Sequence, residues 1–140
     1  LTALLDVGRD GHFATVLLGH VDVPDHQMTV VNAGHLPPLV VSGTGTYFVA
    51  AQPGAPIGVA SFADFVPHIV AIPQRASILA YTDGLVERRG ESLDAGLERL
   101  RATAAAQQGN PERLLDAVVA SLADDGVGDD IALLAVRWID

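Results

Sequence analysis

The sequence contains no cysteine, no lysine and no long apolar run. Without cysteine, disulfide bonds, zinc–thiolate sites and a cysteine nucleophile are excluded. No apolar run approaches the roughly 20 residues that span a bilayer. The first twenty residues show no signal-peptide pattern. We therefore expect no membrane insertion and, by default, a cytoplasmic location.

Positive charge is scarce, since the 8 basic residues are all arginines and stand against 17 acidic ones, giving a net charge of -9. No basic stripe exists to neutralise phosphates, which argues against nucleic acid and anionic membranes as partners. Apolar residues are plentiful, at 49% of 140 residues. The composition therefore predicts a globular domain with a sizeable core.

The first part of the chain predicts antiparallel strands, from runs of β-forming residues separated by turn residues. The first two runs and the next two are each expected to form a hairpin. The expected strands are residues 12–23, 28–33, 37–41, 46–50, 65–72 and 75–82.

The last part predicts two helices and a closing strand. The spacing of apolar residues predicts a helix over 94–108 with Gly109 as its C-cap. Asn110, Pro111 and Glu112 are typical of a helix start: an N-cap, a first-turn proline and an acid near the positive end. A final buried strand is expected at 131–136. This order favours an α+β fold over alternating βαβ units. The core stripe of the second helix is expected to be Leu114, Val118 and Leu122, with Leu115 and Val119 beside them.

Two acidic points stand at predicted strand ends. Asp83, followed by Gly84, leaves the strand at 77–81, and Asp129 and Asp130 directly precede the last strand. If the two strands are neighbours, these carboxylates could form a site for a hard cation. Each feature also has a simpler interpretation: aspartate–glycine is a common turn, an acidic pair can be a solvated loop, and His35 can be a loop residue bonded to backbone. No serine–histidine–acid arrangement or glycine-rich phosphate loop offers another chemistry.

Five motifs in one order favour the cation site over simple turns and loops. They are FAT at 13–15, NAGH at 32–35, PGAPIGV at 53–59, YTDGLVE at 81–87 and GDDIALL at 128–134. Together they resemble the RsbU/SpoIIE-type branch of the bacterial metal-dependent protein phosphatases (PPM, protein phosphatase 2C-like). The resemblance covers essentially the whole chain. It implies a PPM-phosphatase-like antiparallel β-sandwich flanked by helices.

The resemblance also implies a site. Asp83 and Asp129 would be ligands of two Mn²⁺ or Mg²⁺ ions, with Gly84 allowing close approach and His35 on a nearby loop. Asp130 would lie just behind the ligands or be an occasional ligand itself. Because two ions about 3.5–4 Å apart can activate a water as nucleophile, no catalytic side chain is assigned. The implied substrate is phosphoserine or phosphothreonine on an anti-anti-sigma (STAS) protein of a sigma-factor stress pathway.

One part of the family pattern has no match in these residues, namely an early aspartate followed by a glycine–histidine turn. We therefore expect residues 1–140 to be the C-terminal two-thirds of one phosphatase domain in a larger multidomain protein, with its N-terminal part missing, and weak or inactive alone. Two alternatives stay open. One is a degenerate phosphatase fold that only binds a partner, and the other is a structural β-rich domain with solvated acidic loops.

Overall fold

The computed structural model describes residues 13–59, 65–122 and 129–139. Two compact units are present: Leu1–Pro37 with Ala50–Ala71, and Pro38–Val49 with Ile72–Asp140. The elements, in chain order, are β1 (Val16–Asp22), β2 (Gln27–Ala33), β3 (Leu39–Ser42), β4 (Gly45–Phe48), β5 (His68–Ala71), β6 (Ser77–Tyr81), a 3₁₀ turn (Asp83–Leu85), α1 (Leu93–Ala105), α2 (Pro111–Leu122) and β7 (Leu133–Arg137).

The first unit holds an antiparallel sheet in the order β1-β2-β5. The predicted hairpin of β1 and β2 is confirmed, with Val16 opposite Ala33 and Asp22 opposite Gln27. Side chains alternate along β2, so that Met28 and Val30 are buried while their neighbours are less so. The start of the predicted first strand, residue 12, lies outside the described residues.

The second unit holds an antiparallel sheet in the order β4-β3-β6-β7. The predicted hairpin of β3 and β4 is confirmed, and Ser42 closes its turn by donating from Oγ to the Gly45 carbonyl at 2.9 Å. In the middle of the sheet, β6 pairs with β3 on one side and β7 on the other. The pairing of β6 with β7, on which the predicted cation site depended, places Tyr81 opposite Leu133.

Helices α1 and α2 contact each other and the second sheet, α1 at β3 and β4 and α2 at β7. Ser92 caps α1 by accepting from the Ala95 N–H. The prediction that Gly109 is the C-cap is wrong, because a tight last turn, in which the Gln107 N–H donates to the Ala104 carbonyl, ends α1 earlier. Gly109 lies beyond it in the left-handed region, at φ 104°.

Helix α2 begins as predicted, with Asn110 Oδ1 accepting from the Glu112 and Arg113 N–H groups. Its core row of Leu114, Val118 and Leu122 is buried. The prediction that Leu115 and Val119 lie beside this row in the core is wrong for Val119, which is 45% exposed. A helix on one sheet face buries only the row directed at that face.

The prediction of a buried last strand is also wrong. Among the strands that the structure describes, β7 is the last of its sheet, and its Leu134 and Val136 are 61% and 48% exposed. The predicted α+β class, with two antiparallel sheets and two helices, is confirmed. Within the described part of the chain, no helix is long and apolar enough to cross a membrane.

Candidate metal site

Asp83 lies where β6 ends, on a turn anchored in the core. Leu85 and Val86 are buried just beyond it, and Tyr81 is buried just before it. Burial raises the pKa of the Tyr81 phenol above its usual range, so this side chain stays neutral. The Asp83 side chain is exposed, and its Oδ1 accepts from the Gly84 N–H at 2.9 Å. The fold therefore presents this carboxylate to solvent from a rigid support.

Thr82 joins this turn to the segment before β7. Its N–H donates to the Ala132 carbonyl at 3.1 Å, and its Oγ1 accepts from the Ala132 N–H at 2.9 Å. The same Oγ1 donates to the Asp130 carbonyl at 3.0 Å. The main chain of Asp130 is therefore tied to the residue before Asp83.

Gly84 brings the two acidic segments into main-chain contact. A Cβ at Gly84 would lie 2.7 Å from the Asp129 carbonyl oxygen and 2.8 Å from that of Asp130, closer than real Cβ atoms come. Only a glycine leaves room for the main chain of Asp129 and Asp130 at this point. The structure thus places Asp83, Gly84, Asp129 and Asp130 at one end of the β6–β7 pair.

The donor set at this end suits a hard divalent cation. Asp83, Asp129 and Asp130 are all exposed and offer carboxylate oxygens, which Mg²⁺ and Mn²⁺ prefer. Like charges gathered on adjoining segments repel one another, and a cation among them would offset that repulsion. Within residues 13–59, 65–122 and 129–139, no group of three or more potential ligands is arranged to hold a metal ion. That Asp83 and Asp129 bind metal stays a prediction.

His35 lies in the first unit, in a loop held by Asn32. Asn32 Oδ1 accepts from the His35 N–H, and Asn32 Nδ2 donates to the His35 carbonyl, both at 2.8 Å. The ring Nδ1 of His35 lies 2.8 Å from the Leu36 carbonyl. Local bonds therefore orient this histidine, and its role near a metal stays a prediction.

Two of the sequence motifs pack together in the first unit. The Gly54 N–H donates to the Asn32 carbonyl at 2.8 Å. Gly34 has φ 72°, and a Cβ there would come within 2.6 Å of Cγ of Pro56. The NAGH and PGAPIGV segments thus form one structural feature.

The sequence reasoning missed two residues that hold the Asp83 turn. Thr82 is one, and Gly96 in α1 is the other, because a Cβ at Gly96 would overlap the Val86 carbonyl oxygen. A small polar residue at a strand end is a known signal for local side-chain-to-backbone bonding. Its partners here are about 50 residues away, and no local pattern identifies them. Gly128, the first residue of the GDDIALL motif, lies outside the described residues.

Comparison with known proteins identifies the family. The family description Stage II sporulation protein E (SpoIIE) matches residues 1–139, so the chain belongs to the SpoIIE family. Protein IcfG of Synechocystis sp. is 26% identical over 129 residues, which are 89% of this chain and 20% of that protein. The phosphoserine phosphatase RsbP of Bacillus subtilis is 28% identical over 76 residues, 54% of this chain and 19% of that protein. The chain thus spans about a fifth of the length of these curated relatives.

Solved structures show the same fold. The RsbU and RsbW domains of Rv1364c from Mycobacterium tuberculosis superpose with a TM-score of 0.80 at 28% identity, covering 98% of this chain and 40% of that one. The phosphatase domain of SpoIIE from Bacillus subtilis, in a manganese-presoaked crystal, gives 0.71 at 18% identity, covering 98% and 62%. The predicted PPM-phosphatase fold and the RsbU/SpoIIE resemblance are confirmed, and the chain is related to PPM-type protein phosphatases.

Proposed function

We propose that this chain belongs to a cytoplasmic, metal-dependent protein serine/threonine phosphatase in which Asp83 and Asp129 are metal ligands. The observation that carries the proposal is the close approach of Gly84 to the Asp129 and Asp130 carbonyls, which puts both acidic segments at one sheet end. Membership of the SpoIIE family supports the same chemistry.

In this proposal Asp83 and Asp129 hold Mn²⁺ or Mg²⁺ in a two-ion centre, with Asp130 beside them. When bound, the ions supply Lewis acidity and an activated water. The chain supplies the rigid turn, the oxygen ligands and the main-chain contact that keeps them together. Two carboxylates are few for two ions, so the proposal requires further ligands beyond the described residues.

The proposed substrate is a protein carrying phosphoserine or phosphothreonine, specifically an anti-anti-sigma (STAS) protein. Two comparisons support a regulatory phosphoprotein as the class of substrate. RsbP is named a phosphoserine phosphatase, and the Rv1364c structure contains an RsbW domain together with its RsbU domain. The net charge of -9 also makes neutralisation by metal ions important for admitting a phosphate.

The test uses the full-length protein and a phosphorylated STAS protein, and measures phosphate release against Mn²⁺ concentration. Metal stabilisation of a phosphoryl transition state is worth several kcal/mol, and each 1.36 kcal/mol is tenfold in rate. We therefore expect Asp83→Asn and Asp129→Asn each to lower the rate roughly 100-fold or more. Asp116→Asn, on the exposed side of α2, is the matched control and should retain the wild-type rate. Wild-type rates in both site variants would refute the assignment.

A catalytically degenerate, partner-binding fold is the second candidate. It is favoured by the lack of a three-ligand cluster within the described ranges. The same assay distinguishes the phosphatase from the binding module. A binding module would bind the phosphorylated STAS protein but release no phosphate at any Mn²⁺ concentration.

A further inference from the structure

We propose that Thr82 is the positioning residue of the candidate metal site, and that its hydroxyl sets the spacing between Asp83 and the Asp129–Asp130 pair. This inference rests on the proposed metal site. It adds a residue whose side chain reaches the acidic segment on the other strand.

The argument starts from the β6–β7 ladder. In a hydrogen-bonded antiparallel pair, opposing residues exchange two N–H···O=C bonds. At Thr82 and Ala132 one bond is regular, from the Thr82 N–H to the Ala132 carbonyl. The other ends on the Thr82 hydroxyl and not on its carbonyl. The side chain has therefore replaced the main chain in the last rung.

With the Ala132 N–H bonded to the hydroxyl, the Thr82 carbonyl bonds within the turn instead. That carbonyl accepts from the Leu85 N–H at 3.2 Å, which closes the turn carrying Asp83. The chain can therefore leave the sheet immediately after β6, while the segment before β7 stays attached to Thr82. Thr82 thus closes the turn that carries Asp83 and also holds the segment that carries Asp129 and Asp130.

The hydroxyl uses its donor as well as an acceptor position. It donates to the Asp130 carbonyl and accepts from the Ala132 N–H, on either side of Ile131. A hydroxyl has one O–H and two lone pairs, so it can do both at once. Serine can do the same, whereas valine has nearly the same shape and can do neither.

The expected consequence concerns metal binding more than folding. Asp130 and Ala132 are exposed, so water can satisfy their main-chain groups when the hydroxyl is absent. The position of the Asp129–Asp130 segment would then be less restricted. Small ions such as Mg²⁺ need close, near-ideal oxygen geometry, whereas Ca²⁺ accepts longer and more variable distances. Loss of the hydroxyl should thus weaken Mn²⁺ and Mg²⁺ binding more than Ca²⁺ binding.

The experiment measures Mn²⁺ and Ca²⁺ affinities of the full-length protein by titration calorimetry, beside thermal unfolding. Partners that orient metal ligands typically contribute 10–100-fold in affinity, so Thr82→Val should weaken Mn²⁺ binding by roughly that factor. The loss for Ca²⁺ should be smaller, and Thr82→Ser should stay near wild type. Thr103→Val is the matched control, because the Thr103 hydroxyl lies 3.3 Å from Ser121 Oγ between α1 and α2. It should leave both affinities unchanged.

The outcomes separate this inference from the proposed function. If Asp83→Asn abolishes Mn²⁺ binding while Thr82→Val binds as wild type does, the role of Thr82 is overturned and the metal site stands. Equal losses for both ions, or a Thr82→Ser variant as weak as Thr82→Val, also overturn it. If wild type binds Mn²⁺ no better than Asp83→Asn, both proposals fail. Should Thr82→Val not fold, Thr82→Ala against Thr82→Ser decides the same question.

Discussion

Gly84 and Asp129 lie in main-chain contact although 45 positions separate them in the sequence. A Cβ at Gly84 would stand 2.7 Å from the Asp129 carbonyl oxygen and 3.0 Å from its carbonyl carbon. Those atoms belong to the backbone and cannot rotate away as a flexible side chain can. The spacing of the two acidic segments therefore depends on the missing side chain of residue 84.

Gly84→Ala should displace the Asp129–Asp130 segment. Overpacking of this kind typically costs about 1–3 kcal/mol of unfolding free energy. We also expect weaker Mn²⁺ binding and slower phosphate release, measured in the full-length protein. Gly43→Ala is the control, because no heavy atom lies within 4 Å of a Cβ at that position. Equal metal affinities in the two variants would contradict the proposed role of the contact.

Gly96→Ala should separate helix α1 from the turn that carries Asp83. The added Cβ would overlap the Val86 carbonyl oxygen, a backbone atom that follows the 3₁₀ turn. We expect a loss of about 1–3 kcal/mol in unfolding free energy, measured by chemical denaturation. Alanine normally favours a helix interior over glycine by up to about 1 kcal/mol. A stabilised Gly96→Ala variant would therefore show that this contact is not restrictive.

Asn32→Ala should destabilise the loop that carries His35. Asn32 is 3% exposed and makes two hydrogen bonds to the His35 main chain. The His35 groups that lose their partners are part-buried, and a fully buried unpaired group costs about 1–3 kcal/mol, so we expect a loss of about 2 kcal/mol for the two together in denaturation experiments. Asn110→Ala removes an exposed helix N-cap and should cost about 1 kcal/mol. A larger loss for Asn110→Ala than for Asn32→Ala would contradict the importance of the hydrogen bonds between Asn32 and His35.

Glu91→Gln should lower thermal stability at neutral pH but not in acid. Hydrogen bonds from Arg99, at 2.7 and 2.9 Å, hold the pKa of Glu91 below its usual range. A lowered folded-state pKa stabilises the protein above the unfolded-state pKa, and this contribution is lost as the pH falls through the folded-state value.

The measurement is the melting temperature of wild type and Glu91→Gln from pH 7 to pH 3. The two curves should converge at the acid end. Glu98→Gln provides the comparison, because Glu98 pairs with Arg101 within one helix and is more exposed than Glu91. A smaller effect is expected there, since exposed pairs contribute little. A pH-independent difference for Glu91→Gln would show that packing, and not charge, is responsible.

Local patterns predicted most of the secondary structure. Both hairpins and the start of α2 depend on turn residues and caps within a few positions, so the sequence was sufficient for them. The end of α1 was predicted too late in the sequence, because a tight turn ends the helix at Ala105, before Gly109. Strands β5 and β6 follow each other in the chain but lie in different sheets, which no local pattern indicates.

The sequence alone determined the acidic residues, the glycine beside Asp83 and the order of motifs that indicates a PPM-type phosphatase. Only the tertiary structure decided that β7 is the last of the described strands in its sheet and that Thr82 and Gly84 contact the Asp129–Asp130 main chain. The physical reason is the separation in sequence between the residues that interact. Turns, caps and strand alternation arise between near neighbours in the chain, whereas these contacts join residues 45 or more positions apart and exist only once the strands have paired.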